Sequence, residues 1–245
     1  MRWPLIAVGL AAFLVTLIVG LPARALAPLL PPRVTVGALE GTVWRGRTDA
    51  LAVDGQPVGA VRWQLRPLQL FLGRMALDTE LDRPDGQARA GLRLGFGGSV
   101  EARDVEVHLP LAALPRNIVP RGWSGALRAE LARVSVPKGA VPRIEGKIEL
   151  RNLKAPPPQG AAIGSYSLLF DAASSQKDRL VGKVKDLEGP MQVDGTLSLG
   201  ADRSYVVEGM VAARADASKA VTDTLRFLGT PDAQGRRPFS LAGTY

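Results

Sequence analysis

Met75-Ala76-Leu77-Asp78-Thr79-Glu80-Leu81-Asp82-Arg83-Pro84-Asp85-Gly86-Gln87-Ala88-Arg89-Ala90-Gly91-Leu92-Arg93-Leu94 is two rows of alternating residues about one turn. Successive side chains of a strand point to opposite faces, so Met75, Leu77, Thr79 and Leu81 share one side and Ala76, Asp78, Glu80 and Asp82 the other. Pro84-Asp85-Gly86 supplies the reversal, because proline presets φ and glycine accepts a left-handed backbone. Ala88, Ala90, Leu92 and Leu94 then alternate with Gln87, Arg89, Gly91 and Arg93 on the way back. The stretch reads as an antiparallel hairpin with one apolar face and one wet face.

The same pattern repeats outward from it. Further strands are expected at Val58–Leu65, Val100–Leu109, Gly125–Val134, Arg143–Leu150, Ser165–Phe170, Arg179–Leu187, Gln192–Leu199 and Ser204–Ala213, nearly all separated by turn residues. A unit of the form apolar-x-Gly-x-apolar recurs at Leu39–Val43, Trp123–Leu127, Ile144–Ile148, Val193–Leu197, Val207–Val211 and Leu241–Tyr245. Glycine weakens a strand, so its repetition implies close approach of another backbone, a bulge or strong curvature, against chance in a chain with 27 glycines. Helical signals are sparse. Pro67–Leu72 and Pro110–Leu114 suit a turn or two, and Ser218–Leu228 suits one longer helix. That helix has Asp216 or Ser218 as cap, Val221, Thr224, Leu225 and Leu228 as its apolar stripe, and Gly229 and Pro231 as its stop.

At the amino-terminal end no charge occurs from Trp3 to Ala23, a run of about 30 Å as a helix, which is enough to cross a bilayer once. The span is placed at residues 5–22, with Leu5, Ile6, Val8, Leu10, Phe13, Leu14, Val15, Leu17, Ile18, Val19 and Leu21 facing lipid. A cleaved signal peptide competes, since Ala23-Arg24-Ala25 and Ala25-Leu26-Ala27 have the small-x-small form. The apolar stretch exceeds the usual 7–15 residues of a signal peptide, roughly speaking, and Pro28 obstructs the second site, so a retained anchor is the preferred reading. The expected organisation is a cytoplasmic tail over 1–4, the signal anchor over 5–22, a Pro-rich linker over 23–32 and a β-rich domain over 33–245. Arg2 faces Arg24 and Arg33 across the run, so charge bias is nearly flat. With so short a tail, translocation of the large C-terminal part is the simpler topology, and in a bacterium that part is periplasmic. The fold expected is therefore mainly β: an N-terminal transmembrane helix followed by a curved, largely antiparallel sheet domain with few short helices.

Little in the chain suits chemistry. Cysteine is absent and histidine occurs once, which excludes disulfides, a thiolate nucleophile and an ordinary zinc site. His108 shares the wet face with Glu106, while Val107 and Leu109 take the other. Pairs such as Asp78 with Glu80 and Glu101 with Asp104 have the spacing of solvent-facing strand residues, not of a converging acid and base. Gly95, Gly97 and Gly98 match neither a phosphate loop nor a dinucleotide fingerprint. The 31 basic and 23 acidic residues are scattered and aromatics make up 5%, which argues against a nucleic-acid surface. Trp44, Trp63 and Trp123 read as core or sheet-edge packing. With Asn117 and Asn152 the only asparagines, a sugar-binding module is poorly served. Neither catalysis nor a cofactor nor a metal is expected.

The anchor, the segment Leu39-Glu40-Gly41-Thr42-Val43-Trp44-Arg45-Gly46, the phrase Val61-Arg62-Trp63-Gln64-Leu65-Arg66-Pro67-Leu68 and the terminal Phe239-Ser240-Leu241-Ala242-Gly243-Thr244-Tyr245 together resemble the type II secretion system protein N family. Order and spacing carry the likeness, which spans nearly the whole chain. It implies a single-pass protein of the cell inner membrane in Gram-negative bacteria, with its C-terminal domain in the periplasm. It also implies a non-enzymatic role in exporting folded proteins across the outer membrane, with partners among the inner-membrane platform proteins and the outer-membrane secretin. A curved sheet hung from an anchor also resembles AsmA-like and lipopolysaccharide-bridge proteins that carry lipid. A conduit leaves a long apolar trough open, whereas a scaffold fills it with Leu, Val, Trp and the Ser218–Leu228 helix.

Overall fold

The computed structural model describes residue 13 and residues 16–70, 74–95, 99–114, 119–137, 141–158, 160–171, 175–176 and 179–244. Strands β1 (Val34–Val36), β2 (Leu39–Gly41), β3 (Arg45–Val53) and β4 (Gln56–Leu65) open the sheet. It continues through β5 (Arg74–Arg83), β6 (Gly86–Gly95), β7 (Val100–Pro110), β8 (Ser124–Val136), β9 (Arg143–Lys154) and β10 (Ala162–Phe170). It ends with β11 (Ser175–Gln176), β12 (Arg179–Glu188), β13 (Met191–Gly200), β14 (Ser204–Ala213) and β15 (Arg237–Thr244). All fifteen belong to one open sheet in which each strand pairs with its neighbours in sequence, β2 and β11 lying at the side of the path. Every pairing is antiparallel, as the alternating pattern and short turns require.

The hairpin that decides the fold has the expected register, with Leu77 opposite Leu92, Thr79 opposite Ala90 and Leu81 opposite Ala88. Directly paired residues share a face, so the apolar row runs on from Trp63 through Thr79 and Ala90. Beyond them, Val107, Ala129, Ile148 and Leu168 extend it across β7 to β10. The opposite face is an ion-pair ladder: Arg66 with Asp78 at 2.8 Å, Arg89 with Glu106 at 2.6 Å, and Glu149 between Lys147 at 2.5 Å and Arg151 at 2.7 Å. The exposed Arg66–Asp78 and Arg89–Glu106 pairs are each worth about 0–1 kcal/mol, so they keep this face in water more than they stabilise the fold, whereas Glu149 is buried and held by both of its partners.

The apolar face is thinly covered. The substantial contacts of each strand are with its ladder neighbours, and among the described residues no second sheet lies across from the first. The chain exposes 16305 Å², against about 10,500 Å² for a compact monomer of its 26.0 kDa. Small caps do the covering that exists. Leu111, in the 3-10 turn Leu111–Ala113, is 3% exposed and packs on β8, while Val141, Phe170 and Leu180 form a cluster with Ile144, Ile148, Leu168, Leu197 and Leu199.

The helix expected at Ser218–Leu228 is shorter, Lys219–Leu225, with Ser218 as N-cap accepting from the Val221 amide. It packs on β14 through Leu225, whereas Thr224 stays exposed and bonds back to the Ala220 carbonyl. Two turns cannot bury the whole stripe, so this helix does not fill the apolar face. Pro67–Leu70 forms the expected helical turn.

Strands β1, β2 and β3 and the full length of β15 were not expected. Their glycines, arginines and Pro238 blur the alternation, and ladder pairing overrides it. The recurring glycines have a physical cause. A Cβ on Gly195 would lie 2.5 Å from the Glu208 carbonyl, and one on Gly243 would enter the Tyr205 ring.

No helix among the described residues is long and apolar enough to cross a membrane. Of the expected span, Leu5, Ile6, Val8, Leu10, Leu14 and Val15 lie outside the described residues. Phe13 and Thr16–Val19 are helical.

Candidate functional site at the junction of the N-terminal segment and the sheet

The helical turn Thr16–Val19 ends at Gly20, leaving terminal carbonyls without helical partners. Ile18 is one of them. Its carbonyl accepts a hydrogen bond from the Trp44 indole Nε1–H at 2.8 Å and another from the Leu21 amide at 3.3 Å. The Val43 amide donates to the Leu21 carbonyl at 2.9 Å, and Pro22 bridges Thr42 in antiparallel fashion. The segment Ala23–Leu29 then forms a 3-10 helix against β2 and β3, with Ala23 fully buried.

The sheet holds this clamp from behind. Thr42 and Arg45 close a tight turn through the Thr42 amide to Arg45 carbonyl bond at 2.8 Å, which swings Trp44 out of the ladder toward the N-terminal segment. The Leu65 amide fixes the Trp44 carbonyl at 2.7 Å, and Trp63 Nε1–H donates to the Val43 carbonyl at 3.1 Å. Trp63 lies across Gly46, where a Cβ would overlap the Cζ2 edge of its ring, so only glycine leaves room for the indole. Trp63 sits on an interior strand, paired with Gly46 and Thr79, and Trp44 lies between β2 and β3; each spends its one donor on the backbone that positions the N-terminal segment. Trp44 in a turn between a short apolar strand and a charged one was the available signal for this role.

Phe13, Leu17, Ile18, Val19 and Leu21 are exposed by 40–63%. These apolar side chains do not fold back onto the sheet. They are presented outward from a clamped base, the arrangement of an element whose apolar partner lies outside the chain.

Elsewhere the polar groups are already satisfied. Arg128 Nε–H donates to His108 Nε2 at 3.1 Å on the charged face. Asp186, placed on the apolar side beside Tyr166, accepts from the Val193 amide at 2.8 Å and pairs with Arg214. Burial, helped by Asp186, pushes the Tyr166 phenol up to about 12. The Lys147 and Arg151 side chains hold Glu149 below the usual carboxylate range. No group of three or more metal-binding side chains occurs among the described residues. The arrangement holds segments in place.

The family model for type II secretion system (T2SS), protein N matches residues 32–240. The chain belongs to the type II secretion system protein N family. It is 28% identical to the type II secretion system protein N of Aeromonas hydrophila over 250 residues, covering 97% of this chain and 96% of that one. It is also 28% identical to the protein of that name from Vibrio cholerae serotype O1, over 240 residues, 93% of this chain and 92% of the other. No solved structure matches. The family match takes in the Trp44 turn and the Trp63 strand, two of the segments that carried the resemblance, and the first half of β15. Membership supports the role of a type II secretion component.

Proposed function

We propose that this protein is a non-enzymatic, single-pass component of the inner membrane. Its 5–22 segment is the span, its 1–4 tail is cytoplasmic, its 23–32 stretch is the connection and its 33–245 domain is periplasmic. The observation that carries this reading is the junction: Trp44 and Val43 grip the end of an outward-facing apolar helical turn, so a span emerging there is set at a fixed angle to the sheet. Contact is the mechanism. β15 is laddered to β14 and ends the strand order, so its outer edge offers backbone donors and acceptors to a partner strand. The partners proposed are platform proteins of the secretion system and the secretin.

The test is photo-crosslinking in intact cells with a photoreactive amino acid at Ser240 on β15 and, for comparison, at Glu130 on the charged face. Crosslinks from Ser240 to secretion subunits are expected. Recovery of the mature chain freely dissolved without residues 5–22, or crosslinks only to lipid-transport components, overturns the reading. The half-exposed apolar face favours contact with lipid as a second property of the same domain.

A further inference from the structure

On the apolar face, Val53, Pro57, Val58, Leu81, Leu109 and Leu114 enclose a groove of about 480 Å³, with Arg33, Asp54 and Arg83 at its margin. Four strands and the cap that follows Pro110 build it. Val53 ends β3, Gln56 and Pro57 begin β4, Leu81 and Arg83 lie at the end of β5, Leu109 is next to last in β7, and Ala113 and Leu114 line the groove from the segment after Pro110. Arg83 closes the margin rigidly. Its guanidinium is shared between the Asp85 carboxylate at 2.7 Å and the carbonyls of Pro57 and Val58 at 2.9 and 2.8 Å. Arg33 and Asp54 are much more exposed, and their 3.9 Å contact is loose.

The occupant is constrained by size and by hydrogen bonding. An α-helix of about 10 Å diameter and 5.4 Å pitch fills about 420 Å³ per turn, so the groove takes little more than one turn of helix. An extended peptide would carry its own N–H and C=O groups into an apolar lining, at a cost of about 1–3 kcal/mol for each group left unpaired. The lining gives them little. The backbones of β3 and β5 are committed to the ladders, Arg83 takes the Pro57 and Val58 carbonyls, Gln56 is the one amide side chain in the lining, and among the described residues no buried side-chain nitrogen or oxygen lacks a partner. An unbranched hydrocarbon chain meets both limits, because it is thin and brings no polar group. A head group remaining outside meets the Arg33 and Asp54 pair.

We propose that this groove binds an acyl chain of a membrane phospholipid. The inference rests on the anchor reading for one point, that the groove stands next to a bilayer able to supply the lipid.

The experiment uses the full chain in nanodiscs of phosphatidylethanolamine and phosphatidylglycerol that contain a phosphatidylglycerol with a diazirine in its acyl chain. After irradiation, adducts are read on the tryptic peptide Asp104–Arg116, which carries Leu109 and Leu114, and separately on the peptides of the 5–22 segment. Adducts on Asp104–Arg116 are expected, and Ala113→Trp, which fills the groove, should lower them by about tenfold or more relative to those on the 5–22 segment. Ala242→Trp, on the charged face at the far edge, should leave them unchanged. If Ala113→Trp does not fold, Leu114→Asp serves in its place, with the same loss expected. Label confined to the 5–22 segment sinks the groove and leaves the anchor standing. Label on Asp104–Arg116 with none on 5–22 keeps the groove and sinks the anchor. Replacement of lipid by a second copy, seen as a crosslinked dimer whose adduct lies on Asp104–Arg116, also overturns the proposal.

Discussion

Gly209→Ala should loosen the sheet severely although it adds one methyl group. Gly209 faces Gly195 across the β13 and β14 ladder. A Cβ there would lie 2.5 Å from the Gly195 Cα and press harder still on the Asp194 carbonyl, where ordinary contact begins at 3.4 Å. Both obstacles are backbone, so β13 must retreat by about 1 Å and lengthen the hydrogen bonds beside it. Overpacking of this kind costs about 1–3 kcal/mol, and one or two weakened ladder bonds add about 1 kcal/mol each. Loss of glycine's freedom in the unfolded chain returns about 0.4–1 kcal/mol. The net is a destabilisation of about 2–3 kcal/mol, which at a urea slope of about 2 kcal/mol/M lowers the midpoint by about 1–1.5 M. Tryptophan fluorescence of the full chain in a mild detergent measures it. Gly91→Ala is the control, since its Cβ would meet the Asp78 carboxylate at 3.3 Å and the Arg103 carbonyl at 3.6 Å, and the first is a movable side-chain end. It should stay within about 0.5 kcal/mol of the parent. If Gly209→Ala shifts the midpoint no more than Gly91→Ala, the close-approach account of the glycine repeat is wrong.

Three further outcomes are expected. Trp44→Phe keeps an aromatic ring but removes the indole bond to Ile18, a loss of about 1 kcal/mol that should speed tryptic cleavage after Arg24 about fivefold, while cleavage after Arg203 stays constant. Glu149 has a folded-state pKa held down by Lys147 and Arg151, so its contribution is complete above the ordinary value of 4.5 and disappears as pH falls through the lowered folded value. The melting temperature of Glu149→Gln should therefore fall less steeply than the parent's on acidification below pH 4.5. An ultraviolet titration should show one of the three tyrosines ionising at about 12, and Tyr166→Phe should remove that step.

The alternation in Met75–Leu94 was legible because both faces differ sharply, and the observed register follows it residue for residue. Ser204–Ala213 matched at both ends although its faces differ little, because Asp202-Arg203 and Arg214 bound its apolar run. Strand β3 was not legible: Arg45, Arg47 and Asp49 mark one side, but the register shifts after Thr48 and breaks the period. The junction escaped because its content is backbone. Nothing in Trp44 names Ile18 as its acceptor, and the bond joins residues 26 positions apart. The groove escaped because it depends on the cap after Pro110 folding over strands contributed by distant hairpins. The exposed Phe227 has no account in the fold.

The strand order has a consequence for how the protein is made. Because each strand on the main path is laddered to the path strands just before and after it, a chain delivered amino-terminus first can add strands one at a time to a growing template, with no need to wait for a distant segment. Damage should behave in the same way. A fault in one strand weakens the two beside it, and the stretch between that fault and the amino-terminal end of the sheet can keep its form, as in a row of stacked repeats.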